Sequence, residues 1–168
     1  TFRKIQLDSY TGTNMSEDRV KIALPFPIES INGLKVLEVG AGAGRFTEIL
    51  LKYGAIVYSF DLSDAVLANY RNNMPHSNLT IFQGDVESIP FKDGFFDLTL
   101  CLGVMQHTRD FDSSLTEIAR VTKSDGVISF DHYQKHLGHY TSLYLIYWML
   151  IKQLPKNLQL NLTNFLTK

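Results

Sequence analysis

The chain has 168 residues, of which 45% are apolar and 20% charged, so its composition is that of a globular protein and excludes a disordered one. Its length fits a single domain with a sizeable core. The formal net charge is −1 and the lysines and arginines are scattered, so we expect no nucleic-acid partner.

Residues 1–32 have a mixed character and predict one helix, over 16–24, with Ser16 as its N-cap and Pro25 and Pro27 beyond its end. The chain begins at Thr1 without an initiator methionine or a signal peptide, which we interpret as a fragment of a longer protein. The single cysteine, Cys101, has no partner for a disulfide, and this favours a cytoplasmic location.

From residue 34 to residue 131, short β-branched runs alternate with stretches of helical period, a pattern typical of βα units around a parallel sheet. The predicted strands lie at 35–39, 56–61, 79–83, 96–102 and 127–132. The fold class is therefore a doubly wound α/β domain with a core at 32–132.

The sequence predicts boundaries for two of the helices between the strands. Ser63 can cap a helix that Pro75 stops near Asn73. Ser114 and Glu117 match a capping box at the start of a second helix, and residues 125–126 predict the turn into the last strand.

The C-terminal stretch predicts a helical extension over 137–168. Its segment 140–154 is almost wholly apolar and aromatic. The longest unbroken apolar run, 143–151, has nine residues, whereas a helix that spans a bilayer needs roughly 20. We expect this segment to pack under a lid or against another chain, and a role at a membrane surface is the less favoured alternative.

The stretch "LEVGAGAGRFTEIL" places three glycines at alternate positions between a strand and a helix. Glycines at such a turn admit a ligand to the backbone, and the helix start offers free N–H groups. We expect Gly40, Ala41, Gly42 and Gly44 to form a small-molecule cradle. The dinucleotide pattern G-x-G-x-x-G fails in either frame, because Arg45 or Thr47 stands at its last position.

Four motifs in order resemble those of class I S-adenosylmethionine-dependent methyltransferases. They are "VLEVGAGAGRFTEIL", "VYSFDLS", "FQGDVESIPF" and "FDLTLCLGVMQHT". The resemblance covers roughly residues 32–131 and implies the strand order 3-2-1-4-5 and S-adenosyl-L-methionine as cofactor. The two further strands that usually end the family's sheet are not recognisable after residue 132.

The resemblance also implies a role for each motif. Asp61 would accept hydrogen bonds from the ribose hydroxyls, Asp85 from the adenine amino group, and the backbone of Val86 would meet a ring nitrogen. Glu38 would interact with the loop and with the amino-acid end of the cofactor, directly or through water. Apolar walls would come from Leu62 and Leu102, although Asp61 could instead be a helix cap and either leucine plain core.

Methyl transfer to oxygen or carbon can require a base, and His107 and His132 follow strand ends where open α/β sheets bind ligands. Either histidine could instead be a loop residue satisfied by backbone or solvent, an alternative as strong as the catalytic one for His132, and we predict no metal site. The family's Asn/Asp-Pro-Pro-aromatic stretch for methylating bases is replaced by "LGVM".

We therefore expect an enzyme acting on a small molecule or on a glycan or lipid intermediate. A regulatory cofactor-binding module without a complete active site is the first alternative. A nicotinamide-dependent oxidoreductase is a weaker third.

Overall fold

The computed structural model describes residues 7–132. Within them, five parallel strands form one sheet in the order β3-β2-β1-β4-β5, which confirms the predicted doubly wound α/β fold and its strand order. The strands are β1 (Lys35–Val39), β2 (Ile56–Asp61), β3 (Leu79–Gln83), β4 (Phe96–Cys101) and β5 (Thr122–Phe130). The predicted helical extension at 137–168 and the question of further strands lie outside the described residues, so the predicted domain organisation stays a prediction.

The register of the central strands brings their carboxyl ends to one edge. In β1, Val39 stands beside Phe60 of β2, which in turn stands beside Phe82 of β3. The residues that follow these strands, including Gly40 and Gly84, therefore emerge next to one another. This edge is where open α/β sheets form ligand sites.

In the described range, five α-helices flank the sheet, and both of its faces are covered. The helices are α1 (Asp8–Thr11), α2 (Met15–Ala23), α3 (Arg45–Lys52), α4 (Val66–Asn73) and α5 (Phe111–Val121), and two short 3₁₀ turns lie at Ile28–Ile31 and Met105–His107. One apolar core packs Val20 of α2 and Ile49 of α3 against Val57, and the other packs Ile118 of α5 against Leu37 and Phe96. Residues 36–39 of the central strand β1 are all buried, as expected for a strand that is covered on both faces.

The capping box predicted for α5 is wrong. The helix begins at Phe111, and its N-cap is Asp110, whose side chain accepts hydrogen bonds from the N–H groups of Asp112 and Ser113 at 3.0 and 3.1 Å. Ser114 lies inside the first turn and donates its hydroxyl to the Asp110 carbonyl. A carboxylate one turn earlier is a stronger acceptor than a serine hydroxyl, so it determines the helix start.

The other two predicted caps also differ. The start of α2 is held by the carboxylate of Asp8, which accepts from the N–H groups of Ser16 and Glu17 at 3.0 Å. At α4 the helix begins at Val66, and the Ser63 hydroxyl accepts a long hydrogen bond, 3.3 Å, from the N–H of Ala65, which precedes the helix. A cap supplied by a residue distant in sequence is invisible to a local pattern.

The last strand also differs from its prediction. It begins directly after α5, at Thr122, and Asp125 and Gly126 lie within it as a local irregularity in the pairing with β4, where the register shifts between Phe96 and Leu98. The strand ends at Phe130, so His132 follows it. Extra residues in one strand of a pair are accommodated as a bulge, which replaces the predicted turn.

Candidate functional site

A cavity of about 280 Å³ opens at the carboxyl edge of the sheet. Its walls come from the ends of β1 and β2 and from the segments that follow β3 and β4. Of the predicted site residues, six line it: Gly40, Asp61, Leu62, Asp85, Val86 and His107. The other lining residues are Val39, Phe60, Gly84, Glu87, Gly103, Val104, Thr108 and Arg109.

Two of the three alternating glycines are required for different reasons. At Gly42, where φ is +53°, a Cβ atom would meet nothing within 4 Å, so the loop is open to a ligand there. At Gly44, with φ +86°, a Cβ would stand 2.1 Å from the Asn69 Oδ1 and 2.4 Å from the Asn73 Nδ2. The absence of a side chain at Gly42 leaves the backbone accessible to a ligand, whereas at Gly44 it leaves room for the side chains of two asparagines.

The carboxylate of Asp61 ties the end of β2 to the glycine loop. Its Oδ2 accepts from the Gly42 N–H at 2.9 Å, and its Oδ1 accepts from the N–H and the hydroxyl of Ser63 at 2.9 and 2.7 Å. A carboxylate oxygen has two lone pairs, so Oδ2 keeps one for a ligand. Asp61 therefore organises the loop whether or not it also binds a ribose.

The carboxyl group of Asp85 is held at the opposite wall of the cavity. Its Oδ1 accepts from the Glu87 N–H at 3.0 Å, and its Oδ2 accepts from the Arg109 guanidinium at 2.7 Å. Arg109 also lies 3.4 Å from the Glu87 carboxylate. This exposed arginine, which joins the segments after β3 and β4, was missed by the sequence analysis because no local pattern marks an ion pair between distant segments.

Glu38 is almost completely buried on β1. Its Oε2 accepts from the Thr47 hydroxyl at 2.5 Å and from the Ser59 hydroxyl at 2.9 Å, whereas its Oε1 has no hydrogen-bond partner among residues 7–132. Burial raises the pKa of this carboxyl group to about 7, although the two hydroxyl groups act in the opposite direction. An unpartnered buried acceptor is costly and points to a group that is supplied from outside.

The remaining predicted residues occupy different places. His107 is exposed at the cavity, and its backbone N–H donates to the Val104 carbonyl at 2.8 Å. Leu102 packs into one of the two cores, and the ring of His132 lies 5.3 Å from that of Phe111; neither residue lines the cavity. Their proposed roles in the site stay predictions.

A second ion pair, also missed by the sequence analysis, joins α2 to the end of β5. The Asp131 Oδ2 pairs with the Arg19 guanidinium, and its Oδ1 accepts from the Gly103 N–H at 2.5 Å. Asp131 therefore connects α2 to the loop after β4, which forms one wall of the cavity.

Within residues 7–132, no cluster of histidine, cysteine and acidic side chains is arranged to hold a metal ion. In the same range, no helix has both the length and the apolar character that crossing a bilayer requires.

The site fits a nucleoside joined to an amino acid. Asp61, which keeps a lone pair for a ligand, lines the cavity together with Asp85 and Val86. It also accepts from the N–H of Gly42, beside which the loop leaves open space. Glu38 offers an unpartnered acceptor behind the loop. Acceptors of this kind suit hydroxyl groups, an amino group and an ammonium group, all of which S-adenosylmethionine carries.

A family model described as "Methyltransferase domain" matches residues 37–130. A ubiquinone biosynthesis O-methyltransferase of Methylococcus capsulatus is 28% identical over 130 residues, covering 76% of this chain and 55% of the relative. A demethylmenaquinone methyltransferase of Thermobifida fusca is 32% identical over 112 residues, covering 62% and 47%.

The YcgJ protein of Bacillus subtilis superposes with a TM-score of 0.60 at 27% identity, covering 72% of this chain and 52% of that one. The chain thus spans about half the length of the curated relatives that it matches.

Proposed function

Because the chain belongs to the class I S-adenosylmethionine-dependent methyltransferases, we propose that it transfers a methyl group to an oxygen atom of a small molecule or of a glycan or lipid intermediate. The observation that carries the proposal is the cavity that joins the glycine loop to Asp61 and Asp85. An oxygen acceptor is supported by relatives named as O-methyltransferases. The missing Asn/Asp-Pro-Pro-aromatic stretch argues against bases of nucleic acids.

The residues of the cavity would hold the nucleoside part of the cofactor. Asp61 would accept hydrogen bonds from the ribose hydroxyls. Asp85 would accept from the adenine amino group, and the Val86 N–H would donate to a ring nitrogen. When bound, S-adenosylmethionine supplies a methyl group made electrophilic by a positively charged sulfur. The protein contributes mainly by holding the reactants in line, which can account for about 7–11 kcal/mol of a barrier.

His107 is the proposed general base. It lies at the cavity wall on the segment after β4, and a neutral imidazole ring nitrogen can accept the proton that an acceptor hydroxyl loses. His132 is the second candidate, because it follows the end of β5, although the described structure places its ring against Phe111.

Calorimetric titration with S-adenosylmethionine, S-adenosylhomocysteine and NAD tests the cofactor, and transfer of a labelled methyl group to a panel of phenols, carboxylic acids and lipid extracts tests the reaction. We expect binding of both methionine derivatives and label in an oxygen acceptor, with His107→Ala lowering turnover but not binding. Binding of NAD alone would contradict the proposal. Binding without transfer to any acceptor would favour a regulatory module.

A further inference from the structure

A chain of hydrogen bonds under the glycine loop ends on Glu38. It runs through four residues, Asn73, Asn69, Thr47 and Ser59, which we call the asparagine relay. We propose that the asparagine relay positions Glu38 so that Oε1 is the one acceptor offered to the ammonium group of the cofactor. This inference rests on the proposed function and makes Asn69 a positioning residue.

The direction of the relay is fixed at its first bond. A backbone carbonyl can only accept, so the Asn73 Nδ2 must donate to the Gly44 oxygen, at 3.0 Å. The same Nδ2 lies 2.8 Å from the Asn69 Oδ1, which must therefore be the acceptor of the pair. This fixes the orientation of the buried Asn69 amide, whose NH₂ group then faces Thr47 and Ser59.

The orientation of the Asn69 amide also determines which atoms donate in the hydrogen bonds that lead to Glu38. The Asn69 Nδ2 donates to the hydroxyl oxygens of Thr47 and Ser59, at 2.9 Å each. Each hydroxyl has one hydrogen to donate, and the Oε2 of Glu38 accepts from both at 2.5 and 2.9 Å, which is closer than the 3.2 Å between the two hydroxyl oxygens. A proton on Oε2 would conflict with these two donors, so the relay reserves Oε1 for a proton or for a ligand.

Because three residues of the relay are buried, their hydrogen-bond donors cannot be replaced by water. The side chains of Thr47, Ser59 and Asn69 are inaccessible to solvent, and Glu38 is 1% exposed. Water therefore cannot replace a missing donor without rearrangement of the packing. Because Asn69 and Asn73 also fill the space at Gly44, the relay joins the backbone of the glycine loop to the carboxyl group behind it.

Two charged groups act on Glu38 besides the relay. Asp61, at the end of β2, raises its pKa, and Arg45, at the start of α3, interacts with it with the opposite sign. Their effects, together with burial, place ionisation of the carboxyl group near neutral pH. A cation that arrives at Oε1 should then displace a proton, so binding of the amino-acid end should release a proton to the buffer.

The test compares S-adenosylhomocysteine with 5′-methylthioadenosine, which lacks the amino-acid end. Asn69→Asp replaces the donor that faces the two hydroxyl groups by an acceptor. We expect it to weaken binding of S-adenosylhomocysteine at least about tenfold, to leave binding of methylthioadenosine within about twofold, and to change the number of protons released. Asn72→Ala is the matched control, because Asn72 donates to the Ala43 carbonyl from the same helix but outside the relay.

Ser59→Ala provides a milder second variant if Asn69→Asp does not fold. It removes one of the two donors to Oε2, and we expect about a three- to tenfold loss that is again confined to S-adenosylhomocysteine. Equal weakening of both ligands, or no change in either folded variant, would overturn the inference. If the unmodified protein bound neither ligand, the proposed function itself would fail, which is a different result.

Discussion

The side-chain amide of Asn69 occupies the space in which a Cβ atom of residue 44 would stand. A Cβ built there would lie 2.1 Å from the Asn69 Oδ1, whereas one built at Gly42 would meet nothing within 4 Å. The two glycines share a positive φ but differ in what surrounds them. This difference leads to the first prediction.

We expect Gly44→Ala to destabilise the protein more than Gly42→Ala. Both variants incur the cost of a left-handed backbone, about 1–2 kcal/mol, and only Gly44→Ala adds overpacking against the buried amide, about 1–3 kcal/mol. Urea denaturation without ligand measures the difference in the free energy of unfolding. Equal losses would show that the Asn69 amide moves away at no cost.

The pH dependence of stability should change in Glu38→Gln. The native pKa of about 7 lies above the ordinary 4.5, so between these values the unfolded chain ionises while the native carboxyl group stays protonated. Native stability therefore falls as pH rises from about 4.5 to 7, by about 3 kcal/mol at 1.36 kcal/mol per pKa unit. Denaturant titrations at pH 5 and 8 should show that Glu38→Gln removes most of this difference, while an unchanged difference would contradict the assignment.

Glu17 should show the opposite pH dependence. Hydrogen bonds from Lys21, Lys52 and Tyr53 lower the pKa of its carboxyl group to about 2, so its stabilisation is present above about pH 4.5 and is lost as pH falls toward 2. We expect Glu17→Gln to lose about 1–2 kcal/mol of unfolding free energy at pH 7 and progressively less at acidic pH. The neighbouring exposed Asp18, changed to Asn, is the control and should lose little; equal losses in the two variants would count against the Glu17 network.

Asp61→Asn and Asp85→Asn should weaken both S-adenosylhomocysteine and methylthioadenosine, because both ligands contain the nucleoside. Loss of a charge-assisted acceptor predicts about a 10- to 100-fold rise in Kd. Asp93→Asn is the control, since Asp93 pairs with Arg120 and does not line the cavity. A loss limited to S-adenosylhomocysteine would instead place these carboxylates at the amino-acid end of the ligand.

Cys101 should be inert in the native protein. It is fully buried on β4, and burial raises the pKa of its thiol to about 12. Because the thiolate is the reactive form, alkylation at pH 8 should proceed only as the protein opens, at least about 100-fold slower than in denaturant. Rapid labelling of the folded protein would show that β4 is accessible at this point.

The sequence was sufficient for the bounds of the three strands β1, β2 and β3, because each is a short run rich in apolar and β-branched residues that lies between turn residues. It was insufficient for the helix starts. In "RDFDSS" several residues can cap, and the Asp110 carboxylate rather than Ser114 does so. The cap of α2 is supplied by Asp8 through a contact that no local pattern encodes.

The sequence by itself determined where the glycine loop lies and that Asp61 and Asp85 follow neighbouring strands, since these depend on local pattern and chain order. Only the tertiary structure decided that Arg109 pairs with Asp85, that Asn69 fills the space at Gly44, and that one oxygen of Glu38 has no partner in the part of the chain that the structure describes. The physical reason is that burial and the direction of a hydrogen bond depend on which distant segments the fold brings together.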